Sequence, residues 1–188
     1  MLASSSSRSR SLFGVLTATI LVGLLNACSA HDSQPPSPTV STPDAYFASE
    51  ADAIAAMKRL ISKADDAETL AVNQGDFSEV DRIYRPEDLA EVHNGLQFYI
   101  DLRVRLVGTY ADRNHRIVAM ENRSDGAVVT VTFCRNVAGA RLELAEGGDA
   151  TPPNRPIEQS AEVTGYFSAL DARLSQFSGW TEGNACAN

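Results

Sequence analysis

The chain has 188 residues, of which 44% are hydrophobic and 21% charged, a composition that is ordinary for one globular domain. Its formal net charge is −8, and the loss of residues 1–27, which hold two arginines and no acid, would make it −10. Nucleic acids and anionic lipid headgroups need basic patches on a protein, so this acidic composition argues against both as partners.

The first 27 residues have the order of a secretory signal peptide. Arg8 and Arg10 precede an apolar run at residues 12–25, and the small residue Ala27 follows it. The run is shorter than the roughly 20 apolar residues that a membrane-spanning helix needs. We therefore predict that residues 1–27 are removed on export.

The end of this segment, Leu25-Asn26-Ala27-Cys28, resembles the lipobox of bacterial lipoproteins. The resemblance implies that Cys28 is lipidated and becomes the mature N-terminus. Two or three acyl chains make a stable anchor, whereas one holds a protein only marginally. The expected location is the extracytoplasmic face of the cell membrane, with the membrane as a partner through the N-terminal lipid. The alternative is an ordinary signal peptide followed by a chance cysteine.

Residues 28–43 are predicted to form one segment, which consists of the lipidated Cys28 and a tether. Residues 29–43 hold four serines and four prolines and one sizeable aliphatic residue, Val40. Such a composition is typical of a semi-rigid, extended spacer. The folded domain is predicted to cover residues 44–188.

Two cysteines remain in the exported part of the chain, Cys134 and Cys186. Export implies an oxidising compartment, where two leftover cysteines in one domain indicate a disulfide. The alternative is a pair of buried free thiols.

Helical signals dominate the first half of the domain. Ser49 with an acid three residues later predicts a capped helix that ends at "NQGD", where Gly75 suits the left-handed C-terminal position. A shorter helix is predicted at residues 77–84. A third is predicted to begin at Pro86 and to reach about Arg105, although its second half could instead be a strand.

After Tyr110 the pattern changes to short segments that are rich in β-branched and aromatic residues. Asp125-Gly126 predicts a hairpin turn between the first two segments, and residues 146–156 form a turn-rich loop. Helices followed by antiparallel strands indicate an α+β fold, with helices packed on one face of a sheet. The predicted strands are "HRIVAMEN", "AVVTVTFC", "ARLELAE", "AEVTGYFS" and "ARLSQFS".

This order of elements resembles the NTF2-like (SnoaL-like) superfamily, and more narrowly the secreted NTF2-like lipoproteins of actinobacteria. The resemblance rests on the cysteine-containing strand at residues 129–134, the proline-rich loop at 152–156 and the tail "GWTEGNAC". It implies N-terminal helices packed on a curved antiparallel sheet that forms a cone. Enzymes of this superfamily perform acid–base chemistry inside the cone, with Asp, Tyr or His.

No recognisable catalytic, nucleotide-binding or metal motif occurs in the sequence. We therefore assign no catalytic, cofactor or metal residues and expect no cofactor. The histidines His31, His93 and His115 are interpreted as polar surface residues. Two acidic clusters are interpreted as solvated helix faces: Asp65, Asp66 and Glu68, and then Glu87, Asp88 and Glu91. The raw material for acid–base chemistry in a cone would be Tyr46, Tyr84, Tyr99, Asp101, Tyr110 and Tyr166.

We favour a non-enzymatic binding or interaction module whose partner is an unknown protein or a small apolar ligand. The alternative is a small-molecule isomerase, cyclase or hydrolase with its active site in the cone pocket, and a purely structural envelope protein is a third possibility. A buried Asp or His with a strongly raised or lowered pKa inside an apolar cavity would favour the enzyme. A filled cone with an exposed apolar patch would favour a protein partner.

Overall fold

The structure is a computed structural model that describes residues 45–179 and 185–187. The predicted signal peptide, the lipidation site Cys28 and the tether lie outside the described residues. Residues 180–184 of the tail also lie outside them. Among the described residues, no helix combines the length and the apolarity that crossing a membrane requires.

Three helices open the described domain, and the first confirms its predicted ends. The Ser49 side chain accepts a hydrogen bond from the backbone N–H of Asp52, and Gly75 follows the helix with a φ of 74°. Glycine adopts this left-handed conformation without the steric penalty of a Cβ. The helices are α1 (Glu50–Gln74), α2 (Ser78–Ile83) and α3 (Leu89–Asp101).

The third helix is shorter than predicted at both ends. It starts at Leu89 after a turn at residues 86–88, so Pro86 is not its first residue. It ends at Asp101, because Arg103 has a φ of 54°, which cannot continue a right-handed helix. The chain then enters strand β1 (Val104–Gly108). The alternative prediction, a strand in the second half of the third predicted helix, is therefore correct from Val104 onward.

The strands form an antiparallel sheet of five and a separate antiparallel pair. β1 pairs with β4, while β3 pairs with β2 and β5, and β5 also pairs with β6 and β7. Helices packed against an antiparallel sheet confirm the predicted α+β class, and the sheet is open, not closed on itself. The predicted last strand is two short strands, separated by residues 175–177. The strands that follow β1 are β2 (Ala111–Asn122), β3 (Gly126–Asn136), β4 (Ala140–Leu144), β5 (Glu158–Ser168), β6 (Ala172–Leu174) and β7 (Ser178–Gly179).

The core lies between α1 and the centre of the five-stranded sheet. β3 contributes Val129, Val131 and Phe133, all fully buried. Gly165 of β5 pairs with Val129, and a Cβ at Gly165 would lie 2.3 Å from the sulfur of Met57 on α1. The glycine therefore permits the close approach of α1 to the sheet. Each large apolar side chain buried here contributes about 1.5–3 kcal/mol of transfer free energy.

Candidate functional site

A large cavity lies between α3, the β1–β4 pair and the ends of β3, β5 and β7. Its volume is about 1060 Å³. Small-molecule sites in proteins span about 300–1,000 Å³, so the cavity has room for a sizeable ligand. Its wall is mainly apolar and includes Leu96, Leu102, Val104, Leu106, Leu142 and Phe177.

One row of α3 forms a wall of this cavity. Glu91, Gly95 and Phe98 lie at i, i+4 and i+7, and all three line it. A Cβ added at Gly95 would meet no atom within 4 Å apart from its chain neighbours and the backbone of its own helix. Phe98 and Leu102 are 59% and 49% exposed, so they give the cavity an apolar rim. The missing side chain at Gly95 thus leaves open space in the middle of the wall.

Four polar or charged residues meet in the cavity wall, and we call them the polar cluster: Glu68, Tyr84, Tyr110 and Arg135. The hydroxyl of the fully buried Tyr84 donates a hydrogen bond to Glu68 Oε1. Burial raises the pKa of Glu68 above its ordinary value, although the Tyr84 hydrogen bond and the charge of Arg135 oppose the shift. Burial and the neighbouring Glu68 raise the pKa of Tyr84 well above its usual range, so this phenol keeps its proton.

Arg135 joins the polar cluster to two aspartates behind it. Its Nη1 and Nη2 donate to Asp65 at 2.8 and 2.9 Å, and its Nε and Nη2 donate to Asp112 at 3.0 and 2.9 Å. Each aspartate is therefore held through both carboxylate oxygens, an arrangement that gives strong and directional pairs. The three side chains are 13%, 19% and 14% exposed. Four of the five guanidinium N–H bonds are thus committed to aspartates.

Asp65, Asp112 and Glu68 lie near one guanidinium, that of Arg135, and the pKa of Asp65 reflects this arrangement. Burial raises the pKa of Asp65 from 3.8 to about 7, the charges of Glu68 and Asp112 add to the shift, and Arg135 opposes it. Burial lowers the pKa of Arg135, but its hydrogen bonds and the charges of both aspartates raise it above the ordinary value. With every group ionised, the region has two negative charges in excess.

Aromatic rings surround the charged groups. The guanidinium carbon of Arg135 lies 4.6 Å from the ring centroid of Tyr110 and 5.1 Å from that of Phe177. These distances fall within the range of cation–π attraction. Tyr84 and Tyr99 line the same cavity. Aromatic rings therefore lie against Arg135, and two further tyrosines line the same cavity.

A second, smaller cleft of about 410 Å³ lies between the turn before α3 and the ends of β2, β3 and β5. Arg85 stacks on the ring of Tyr166 there, 4.1 Å from its centroid. Each arginine that lines this cleft has an acidic partner: Arg85 with Glu87, Arg123 with Glu121 and Arg173 with Asp171. These pairs neutralise the arginines, so we assign no ligand to the cleft.

The two histidines in the described part of the chain lie on different elements, His93 on α3 and His115 on β2. His93 is partly exposed and its Nε2 lies 2.7 Å from Asp81, in agreement with a polar surface residue. The same interpretation is wrong for His115, which is half-buried and stacks on Phe133 at 5.1 Å. Burial lowers the pKa of His115 to about 4. His31 lies outside the described residues.

The interpretation of the first acidic cluster as a solvated helix face is wrong for two of its members. Asp66 is exposed, but Asp65 is held by Arg135, and Glu68 lines the cavity. Both lie next to the apolar stripe of α1, in one row with Ile61, whereas Asp66 points away from it. In the second cluster, Glu87 and Glu91 are exposed as expected, and Asp88 is partly buried.

Three of the six candidate acid–base residues line one cavity, and the other three lie elsewhere. Tyr84, Tyr99 and Tyr110 line the large cavity. Tyr166 lines the small cleft, and Tyr46 donates a hydrogen bond to the Ser168 carbonyl oxygen. Asp101 accepts one from Gln97. The structure therefore brings three of the six together, and it adds Glu68 and Arg135, which the sequence analysis did not select.

The sulfur atoms of Cys134 and Cys186 lie 2.05 Å apart, at disulfide-bonding distance. A carboxylate oxygen of Glu158 lies within 4.8 Å of both sulfurs. Metal binding by cysteine requires thiolates, which a bonded pair does not offer. This group of three is therefore a cross-link beside an acidic residue and not a metal centre.

No family model matches the chain, and no curated protein matches it. Among solved structures it is similar to the intermembrane space region of the chloroplast protein ARC6, with a TM-score of 0.45 and 13% sequence identity. That match covers 69% of this chain and 97% of the other. We draw no functional argument from so distant a match.

Proposed function

We propose that this protein is a membrane-anchored extracytoplasmic lipoprotein whose NTF2-like domain binds a small apolar molecule. The cavity of about 1060 Å³ with a mainly apolar wall carries the binding part of the proposal. Helices on an open antiparallel sheet, together with the sequence motifs, support the NTF2-like assignment. A cavity of this size with a mainly apolar wall favours a small ligand over a protein partner.

The anchor part of the proposal rests on the lipobox and the Ser/Pro-rich segment after it. Cys28→Ala is expected to release the protein from the membrane or to leave the precursor unprocessed, because no acyl chain can then be attached. Membrane fractionation and the mass of the mature protein test this. Unchanged membrane retention with an unchanged mature mass would contradict it.

The cavity is tested with the neutral fluorescent probe N-phenyl-1-naphthylamine on residues 29–188, which contain all core residues of the described part of the chain. The probe is expected to bind with increased fluorescence. Gly95→Trp places an indole in the open space of the cavity wall and is expected to weaken binding by at least about tenfold, equivalent to about 1.4 kcal/mol. A fluorescence titration measures both dissociation constants.

Asn94→Trp is the matched control, because Asn94 is the neighbouring exposed residue of α3 and does not line the cavity. It introduces the same indole and is expected to leave the affinity unchanged. Equal affinities for wild type and both variants would place the probe outside the cavity and contradict the proposal.

A second candidate function is an isomerase, cyclase or hydrolase, and the raised pKa of Glu68 supports it. A carboxyl group with a raised pKa, set in a cavity beside a protonated phenol, suits general acid–base catalysis. Native mass spectrometry of the purified wild-type and Glu68→Gln proteins would identify any retained molecule. Retention of a substrate by Glu68→Gln, together with its conversion to product when it is added to wild type, would favour the enzyme over the carrier.

A further inference from the structure

We propose that the ligand of the cavity is an apolar amine, whose ammonium head pairs with Glu68 among the aromatic rings of the polar cluster. The inference rests on the proposed function, since the cavity must bind a ligand, and it adds the charge and chemical class of the head group.

The charge balance around Glu68 is the first argument. Asp65, Asp112 and Glu68 share one cation, Arg135, and Arg135 directs four of its five N–H bonds to the two aspartates. Glu68 accepts its described hydrogen bond from a neutral donor, the Tyr84 hydroxyl. A buried carboxylate with so little compensation gains most from a cation. An ammonium group supplies that charge, whereas a carboxylate ligand would add to the repulsion.

The aromatic lining is the second argument. Tyr84, Tyr99, Tyr110 and Phe177 line the cavity together with Glu68. Aromatic faces attract cations, and enclosure by several rings together with a carboxylate is an established way for proteins to recognise ammonium groups. The guanidinium of Arg135 already lies over two of these rings, those of Tyr110 and Phe177.

Two other arginines line the cavity, and both lie on its β4 side. Arg141 is paired with Glu143, and its side chain is 57% exposed. Arg155 donates to the carbonyl oxygens of Val137 and Ala140. Because Arg155 has no carboxylate partner among the ion pairs of the described residues, an anionic head could bind there, and the experiment includes an anionic ligand for this reason.

The experiment displaces N-phenyl-1-naphthylamine from residues 29–188 with dodecylamine, dodecanol and dodecanoate near neutral pH. The three ligands have the same tail, so differences in affinity report the head group. Dodecylamine, protonated at this pH, is expected to bind at least about tenfold more tightly than dodecanol, because hydrogen bonds to charged groups contribute more than neutral ones. Dodecanoate is expected to bind most weakly.

Glu68→Gln removes the charge and keeps the shape of the side chain. It is expected to abolish the preference for dodecylamine over dodecanol. Glu91→Gln is the matched control, because Glu91 also lines the cavity but is exposed to solvent, where charges are screened. That variant is expected to keep most of the preference.

The outcomes separate this inference from the proposed function. Equal affinity for the three ligands, or tighter binding of dodecanoate, overturns the amine inference while probe binding still supports the cavity. A preference that survives in Glu68→Gln overturns the role of Glu68. Failure of the wild-type protein to bind the probe and all three ligands overturns both. The wild-type head-group series decides the question even if Glu68→Gln fails to fold.

Discussion

Arg135→Met is expected to lower the free energy of unfolding by about 3–5 kcal/mol at about pH 8, as is typical when one member of a buried charge pair is removed. The guanidinium holds Asp65 and Asp112 through four hydrogen bonds, and all three side chains are less than a fifth exposed. The methionine fills much of the volume but leaves both carboxylates without a cation. Urea denaturation measures the loss.

The loss is expected to shrink as the pH falls. In the wild type the pKa of Asp65 is about 7, raised from 3.8. A carboxyl with a raised pKa contributes stability that is fully present below its unfolded pKa and is lost as the pH rises through its folded pKa. Arg135 opposes this shift, so its removal raises the pKa of Asp65 further. The variant is therefore least stable relative to wild type above about pH 7 and recovers toward about pH 5.

Two further variants test whether the buried charges cause the loss. Arg123→Met removes an arginine that also pairs with an acid, Glu121, but is 73% exposed, and it is expected to cost less than about 1 kcal/mol. Adding Asp65→Asn and Asp112→Asn to Arg135→Met is expected to restore much of the stability. Similar losses for the buried and exposed arginines, without a pH dependence, would contradict the assignment.

Local signals predicted α1 well because they act within a few residues. Ser49 caps the helix and Gly75 ends it, as the sequence indicated. The end of α3 depends on more distant partners. Val104 pairs with Leu144, forty positions along the chain, and this pairing converts the end of a predicted helix into β1. Tertiary pairing of this kind overrides local helix propensity.

The polar cluster and its aspartates also include residues that a local sequence pattern indicates and residues whose contacts depend on strand pairing between distant positions. Asp65 and Glu68 could have been selected from the sequence, because they lie one turn apart beside the apolar stripe of α1. Asp112 and Arg135 pair directly across β2 and β3, but this register depends on a start of β2 at Ala111. The predicted strand began at residue 115 and so omitted Asp112. The cavity itself arises between elements that no local pattern brings together.

The second large effect concerns the cross-link between Cys134 and Cys186, which are 52 positions apart. Its reduction is expected to lower the free energy of unfolding by about 4 kcal/mol, because an open chain of that length regains the entropy that the closed loop had lost. The tail that it fastens also accepts hydrogen bonds, from Arg113 at the Cys186 carbonyl and from Asn114 at the Ala185 carbonyl, both at 3.2 Å. These contacts lie at the bulge of β2, so release of the tail is expected to loosen that strand as well.

Denaturation with and without reductant measures this loss, and the double variant Cys134→Ala/Cys186→Ala is the control. Its stability is expected to match that of the reduced wild type and to be insensitive to reductant. Residues 29–188 contain two of the chain's three cysteines, so a thiol reagent should find none in the unfolded, unreduced protein and both after reduction. Two reactive thiols before reduction would favour the alternative of free, buried cysteines. Reductant would then leave the stability unchanged.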